Sequence, residues 1–153
     1  MPPLRRADRA LSAAEAEQLL LQGEYGVLST VDPQGQPYAI PLSYAYRDGA
    51  IYFHCALSGH KLDNLAANPR VCFCVVGRTE LLPAEFATRY ESVLAFGAAS
   101  EITGEERLAA LRWLLEKYSP AFLAEGASYI EQHEASTRVI KIRIDQLSGK
   151  ARR

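Results

Sequence analysis

The segment Ser58-Gly59-His60-Lys61 combines residue types that can bind an anion. It joins the end of a predicted strand to the start of a predicted helix, where four backbone N–H groups lack partners within the helix. The helix dipole is positive at that end, yet two potentially cationic side chains, His60 and Lys61, fall in the first turn. A phosphate monoester would remove this conflict, because the N–H groups, the Ser58 hydroxyl and the Lys61 ammonium can converge on it. The alternative is a solvated first turn in which Asp63 offsets the charge.

A second candidate is His54, which lies on a predicted strand directly after Tyr52 and Phe53. An imidazole there could donate a hydrogen bond or a proton to a ligand at the rim of a barrel. A structural histidine with satisfied hydrogen bonds is the alternative. The third histidine, His133, falls in a polar segment and is assigned no role.

Aromatic residues could line a flat ligand, but motifs for other chemistry are missing. Five tyrosines lie on predicted strands, where barrel packing or a subunit interface would explain them equally well. The sequence has no Gly-x-Gly-x-x-Gly fingerprint, P-loop, Gly-x-Ser-x-Gly elbow or zinc-ligand spacing, which disfavours Rossmann-type cofactor binding, serine hydrolysis and a metal site. The tyrosines on predicted strands are Tyr38, Tyr44, Tyr46, Tyr52 and Tyr90.

Capping and turn signals predict the elements that position these residues. Ser12 with Glu15, and Thr103 with Glu106, form two potential capping boxes. We expect helices at Ser12–Gly23, Ser58–Asn68 and Thr103–Tyr118; strands at Tyr25–Val31, Gln36–Tyr46, Ile51–Cys55, Val71–Val76 (buried on both faces), Tyr90–Ile102 and Arg138–Ile144; and a connection with a helical turn at Arg78–Arg89.

The first three strands are predicted to form an antiparallel meander, joined by turns at Asp32–Gly35 and Arg47–Gly49. Pro37 and Pro41 lack the N–H that a central ladder requires, so their strand is predicted to be an edge, to be bulged, or to lie beside something other than a strand. Mostly antiparallel strands with a few helices predict a mainly β protein, a β-barrel with flanking helices. An open α+β sheet is the alternative.

Composition predicts one domain over residues 1–153, with 48% hydrophobic and 23% charged residues. A formal net charge of -1 gives no electrostatic support for a nucleic-acid partner. No apolar run approaches the roughly 20 residues that span a bilayer, and the first nine residues lack the apolar core of a signal peptide, so no membrane partner and a cytoplasmic location are expected.

Three cysteines, Cys55, Cys72 and Cys74, are predicted to be reduced core thiols.

From Glu24 to Lys150 the chain resembles the pyridoxamine 5'-phosphate oxidase-like split barrels, in particular the branch of 5-nitroimidazole antibiotic resistance proteins. The order and spacing of several short segments together carry the resemblance. They are Tyr25–Thr30, Pro41–Tyr44, Ile51–His54 with Gly59–Lys61, Arg89–Val93 with Phe96-Gly97, and Ser148–Lys150.

The resemblance implies an FMN-binding split barrel that works as a homodimer. By resemblance, Ser58, His60 and Lys61 would bind the FMN phosphate, and His54 would donate a proton or place the substrate. The isoalloxazine would lie along Pro41, Leu42, Ser43 and Tyr44 and along Phe53 and His54, with Tyr90, Ser92 and Val93 supplied by the other subunit.

The implied function is an FMN-dependent oxidoreductase that passes electrons to a small flat acceptor, for example a nitroaromatic. The arginine-rich substrate-phosphate signature of the vitamin-synthesis enzymes is missing near the C-terminus, so that activity does not carry over. Three alternatives stay open: a non-catalytic flavin-binding or sensing module, a haem-binding relative that uses His54 or His60, and a deazaflavin-binding relative.

Overall fold

The computed structural model describes all residues, 1–153, and contains one seven-stranded antiparallel sheet with helices packed around it. In chain order the strands are β1 Gly26–Val31, β2 Pro37–Leu42, β3 Ala45–Arg47, β4 Ala50–Cys55, β5 Arg70–Leu82, β6 Ala87–Ile102 and β7 Arg138–Arg152. The helices are α1 Ala13–Gln22, α2 His60–Ala67, α3 Gly104–Tyr118 and α4 Leu123–His133.

The two edges of the sheet are consecutive in the chain. The strand order is β2-β1-β5-β6-β7-β4-β3, and only Ser43 and Tyr44 separate β2 from β3. The chain therefore kinks at these two residues and crosses from one sheet edge to the other, which brings the edges together as a split barrel. The two predicted hairpins form, since β1 pairs with β2 and β3 pairs with β4. The predicted three-stranded meander is wrong, because the strand expected at Gln36–Tyr46 is split and its two parts lie at opposite edges of the sheet. The edge position predicted from Pro37 and Pro41 is confirmed.

A long hairpin formed by β5 and β6 replaces the predicted connection at Arg78–Arg89, which was wrong. After a bulge between Val76 and Thr79, Thr79 pairs with Tyr90 and Leu82 with Ala87. The predicted helical turn is present as a 3₁₀ turn at Pro83–Glu85. The pairing of Leu82 with Ala87 and of Glu80 with Arg89 makes the segment a two-stranded ribbon that continues beyond the body of the sheet. We name residues 77–90 the arm.

Two apolar clusters lie on opposite faces of β4. Ile51 and Phe53 point into the barrel, where they pack in the larger cluster, while Ala50 and Tyr52 point outward into a smaller cluster with α3. This alternation is the period-2 pattern of a strand that is covered on both faces. The next outward residue, His54, lies beyond the covered part of the strand and is exposed.

One of the two predicted capping boxes forms. In α1, the Glu15 N–H donates to Ser12 Oγ at 3.2 Å and the Ser12 N–H donates to Glu15 Oε2 at 2.9 Å. At α3, Thr103 makes no side-chain cap, and the helix instead begins at Gly104 with φ +65°. The predicted second box is therefore wrong. Gly104 adopts this φ without strain, because glycine has no side chain.

The outer face of β5 is not covered by any helix. Val71, Phe73 and Val75 are buried, whereas Cys72 and Cys74 are half-exposed, so the prediction that this strand is buried on both faces is wrong. All three cysteines are free, and Cys55 alone is buried. Burial of Cys55 and partial burial of Cys72 and Cys74 raise the pKa of each thiol, which keeps them protonated at neutral pH. The final strand also runs on to Arg152, well past the predicted end at Ile144.

Candidate functional site

Helix α2 presents its N-terminus next to the end of β4. The buried amide of Asn64 donates to Thr30 Oγ1 of β1 at 2.9 Å, which fixes the helix against the barrel. Gly59 precedes the helix with φ +151°, a conformation that side chains other than hydrogen rarely allow. A Cβ at Gly59 would meet no atom within 4 Å, so the space in front of the helix is open.

The first turn of α2 has N–H donors without acceptors and a lysine ammonium without an ion-pair partner, and Asp63 is the one acidic residue in this turn. The Asp63 N–H is the first that bonds back, to the Gly59 carbonyl at 3.1 Å, which leaves the N–H groups of His60, Lys61 and Leu62 without intrahelical acceptors. Neither His60 nor Lys61 takes part in an ion pair; the His60 ring instead makes an edge contact with Tyr38 at 4.7 Å between centroids. With Ser58 exposed beside them, this end of the helix can hold an anion.

His54 lies near this anion-binding end, on the outer face of β4. Although His54 is exposed at the surface, the protein around its ring removes part of its hydration and lowers its pKa below the ordinary value of 6.5, and the Lys61 cation lowers it further. His54 is therefore neutral at pH 7 and can donate one hydrogen bond and accept another.

A cleft of about 600 Å³ opens between His54 and the helices α3 and α4. Its walls are mostly apolar, with a few polar groups at the rim, which is typical of a small-molecule site. The apolar and aromatic lining residues are Leu111, Leu114, Leu115, Tyr118, Phe122, Tyr129 and Ile130, and the polar ones include Ser43, His54, Glu125 and His133.

His133, to which the sequence assigned no role, lines the same cleft as His54. Its ring stacks on Tyr129 with centroids 4.0 Å apart, and its Nδ1 lies 2.9 Å from the Tyr129 carbonyl oxygen. Since a carbonyl oxygen only accepts, this contact places a proton on Nδ1. The i, i+4 spacing of Tyr129 and His133 on one face of α4 was the signal that could have found this wall.

Lysine and tyrosine side chains of α3 fix the kink at Ser43 and Tyr44. The Tyr44 N–H donates to the Tyr118 hydroxyl at 2.9 Å, and that hydroxyl donates to the Glu24 carbonyl at 2.6 Å. Lys117 Nζ donates to the Tyr44 carbonyl at 2.9 Å. Burial lowers the pKa of Lys117 to about 8. The backbone of the kink is thus held from α3, and Ser43 is left exposed at the cleft.

Three of the predicted flavin contacts have side chains inside the barrel. Tyr44, Phe53 and Val93 are fully buried, and the Tyr44 hydroxyl donates to the Leu20 carbonyl at 2.5 Å. These residues can offer only backbone atoms to a ligand. Pro41 and Ser43 are exposed, while Leu42 packs partly against the core.

Tyr90 and Ser92 lie far from the other predicted site residues within one protomer. Tyr90 pairs with Arg152 of β7, whereas His54 pairs with Val139 at the opposite end of the same strand. Both side chains face outward and are half-exposed. One protomer therefore does not bring the two groups of residues together.

None of the helices is both long and apolar enough to cross a membrane.

The fold is a split barrel in which the N-terminus of α2 lies near an apolar cleft. The family model for pyridoxamine 5'-phosphate oxidase matches residues 12–151, and the chain belongs to this family. No curated protein matches the chain.

Several solved structures share the fold. A candidate 5-nitroimidazole antibiotic resistance protein of Bacteroides thetaiotaomicron is 23% identical, with a TM-score of 0.76 over 93% of this chain and 86% of its own. An FAD-binding protein of Mesorhizobium loti is 27% identical, with a TM-score of 0.68 over 95% and 98%. An FAD and haem binding protein of Mycobacterium smegmatis is 22% identical, with a TM-score of 0.78 over 92% and 71%.

Proposed function

We propose that this protein is a cytoplasmic, FMN-dependent oxidoreductase whose flavin sites lie at the interface of a homodimer. The observation that carries the proposal is the N-terminus of α2, where three N–H groups without intrahelical acceptors lie beside the His60 imidazole and the Lys61 ammonium, which forms no ion pair. A phosphate monoester supplies the missing negative charge. Membership of the pyridoxamine 5'-phosphate oxidase family and the flavin-binding names of similar structures support the choice of a flavin.

Each site residue would have a role set by its chemistry. Lys61, His60 and the Ser58 hydroxyl would bind the phosphate, with the α2 N–H groups. The exposed backbone of Pro41–Ser43 and the Ser43 hydroxyl would hold the ring edge, because an edge strand has unpaired backbone groups to offer. Bound FMN would supply the redox chemistry, and the protein would orient it and exclude water.

A dimer would complete the site, because Tyr90, Ser92 and the backbone of Val93 lie too far from His54 within one chain. The uncovered outer face of β5 and β6 carries Cys74, Val76 and Leu94. Apolar surface of this kind is typical of an interface. An isologous contact through it would bring the β6 residues of one subunit toward the site of the other.

The cleft beside His54 would take the electron acceptor. Its aromatic and aliphatic walls suit a small flat molecule, for example a nitroaromatic. His54, neutral at pH 7, would place the acceptor by a hydrogen bond and would transfer a proton to it during reduction. The resemblance to a candidate 5-nitroimidazole resistance protein supports this acceptor class.

A titration of the purified protein with FMN tests the proposal. Lys61→Ala should weaken FMN binding by roughly 10- to 100-fold, because a charge-assisted hydrogen bond contributes about 1.5–3 kcal/mol. Arg112→Ala is the matched control, since Arg112 is an exposed cation on α3 with no ion pair. Equal FMN affinity for wild type and Lys61→Ala would refute the phosphate assignment.

Spectra and mass spectrometry of the released ligand separate the other candidates. FMN that stays bound while no nitroaromatic reoxidises the reduced protein would favour a non-catalytic flavin module. A Soret band would indicate haem, and a mass matching a deazaflavin would replace FMN while leaving the fold unchanged.

A further inference from the structure

The arm, residues 77–90, has no cover within its own chain. From Glu80 to Arg89 its two strands pair only with each other, and an isolated two-stranded ribbon is at best marginally stable in water. Its side chains hold it weakly, through a cross-strand ion pair of Arg89 with Glu80 at 3.1 Å and a contact of Glu85 with Arg152 at 3.6 Å. A ribbon of this kind keeps its shape when something else packs against it.

The tip of the arm is apolar, exposed and strained. Phe86 is 97% exposed, and Leu81 is 75% exposed. Phe86 also has φ +50°, a left-handed conformation that is unfavourable for a bulky residue. An isolated monomer gains nothing from this arrangement, since neither side chain buries apolar area in it.

The outer face of the sheet continues onto the arm, where Leu81 follows the polar Thr79 on the same face. Cys72, Cys74 and Val76 point outward on β5. The bulge between Val76 and Thr79 shifts the alternation of side chains by one residue, so that Leu81 also points outward. On β6 the partners of these residues, Leu94 and Phe96 among them, point the same way. The face that the proposed dimer buries therefore extends to the end of the arm.

We propose that the arm of each subunit lies across the partner subunit and that its tip, with Phe86, forms a wall of the partner's flavin site. The inference rests on the proposed function, since it takes the dimer and the flavin site from there. The occupant of the arm's apolar face is a second copy of this chain.

The register of β6 sets where the tip arrives. The Cys74–Leu94 pair lies in the middle of the apolar face, so we place the twofold axis of the dimer at this pair. The axis lies in the plane of the interface and runs perpendicular to the strands. From Leu94 to Phe86 the ribbon extends roughly 26 Å, at about 3.3 Å per residue, and the same distance in the other direction reaches Ile102. Ile102 pairs with Val139, which pairs with His54. The partner subunit's Phe86 thus arrives level with His54.

The other orientation of the dyad leaves the tips unburied. A dyad along the strands would set the two arms side by side, with both copies of Phe86 still in water. Only the crossing dyad places each arm on protein surface and gives its exposed apolar residues contacts.

Two variants test the inference. Phe86→Ser removes the apolar tip, and Leu21→Ser, which changes an exposed leucine on α1, is the matched control. Sedimentation equilibrium should show a dimer dissociation constant raised on the order of a hundredfold for Phe86→Ser, because each dimer loses two contacts. FMN affinity should fall for the same variant, and both quantities should stay unchanged for Leu21→Ser.

Mixed dimers show whether Phe86 acts across the interface. Lys61→Ala and Phe86→Ser chains are each defective as homodimers, but a mixed dimer has one site built from an intact Lys61 and the partner's intact Phe86. Mixing the two at concentrations above both dissociation constants should therefore restore wild-type FMN affinity in a quarter of the sites.

The outcomes separate this inference from the proposed function. A Phe86→Ser protein that dimerises and binds FMN like wild type, or a mixture without restored sites, overturns the role of the arm and leaves the flavin site standing. A wild-type protein that does not bind FMN at all overturns the proposed function itself.

Discussion

The hydrogen bond from Asn64 to Thr30 should stabilise the fold and also position the anion site. Both residues are buried, at 1% and 5% exposure, so water cannot replace a lost partner. Asn64→Ala leaves the Thr30 hydroxyl without its donor, and Thr30→Val leaves the Asn64 amide without its acceptor. Each change should lower the free energy of unfolding by about 2 kcal/mol, within the range for orphaned buried polar groups.

Urea unfolding and thermal melts measure this effect. For a chain of this size about 2 kcal/mol corresponds to a fall in Tm of roughly 4–8 °C. Thr30→Ser keeps the hydroxyl and is the matched control, with a smaller loss that reflects one methyl group. Because the two side chains contact each other, the double variant should cost about 1 kcal/mol less than the two single variants together.

The same variants connect stability to function. Asn64 is the buried residue of α2 and ties the helix to β1, so Asn64→Ala should also weaken FMN binding, though less than Lys61→Ala. If the stability losses of the two single variants add up to that of the double variant within about 0.3 kcal/mol, the two residues do not act together. Unchanged FMN affinity in a clearly destabilised Asn64→Ala protein would show that this bond does not position the anion site.

Two further predictions concern α3 and the bulge in β6. Burial lowers the pKa of Lys117 to about 8 in the folded chain, so the unfolded state binds more protons between about pH 8 and 10.5. The stability of wild type relative to Lys117→Met should therefore rise as pH increases through that window, and urea midpoints whose difference is constant from pH 7 to 10 would contradict this. At Gly97 an added Cβ would lie 1.9 Å from the Arg143 carbonyl oxygen, so β7 would have to move. Gly97→Ala should cost about 3 kcal/mol, and exposed Ser100→Ala should not; similar melting temperatures for the two would be the contrary result.

Local signals in the sequence predicted the elements around the site well. The α1 capping box and the edge strand with Pro37 and Pro41 follow from single residues whose backbone requirements are fixed. The switch from a strand to a helix at Ser58–Lys61 is equally local, and the structure places the helix start within this segment, at His60. For this reason the phosphate hypothesis could be formed before any fold was known.

Long-range features could not be predicted in the same way. The kink at Ser43-Tyr44 depends on Tyr118 and Lys117, which lie more than seventy residues away in the chain. The arm was taken for a connection, because Pro83 and mixed polarity hide the pairing of its two strands. The outward direction of Leu81 depends on a bulge, which shifts side chains from one face to the other without a mark in the sequence.

The cleft also lay beyond local reasoning. His54 and His133 come from a strand and a helix separated by about half of the chain, and only the packing of α3 and α4 over the outer face of β4 brings them to one cleft. A sequence pattern could place each histidine on an element. It could not show that the two elements meet.

The most direct test of the central claim is the visible absorption spectrum of the purified protein before and after FMN is added, followed by mass spectrometry of the released ligand. We predict a flavin spectrum at one FMN per subunit, with tight binding that Lys61→Ala weakens by at least tenfold and Arg112→Ala leaves intact. A protein that carries no flavin and whose spectrum and FMN fluorescence do not change on titration would contradict the account.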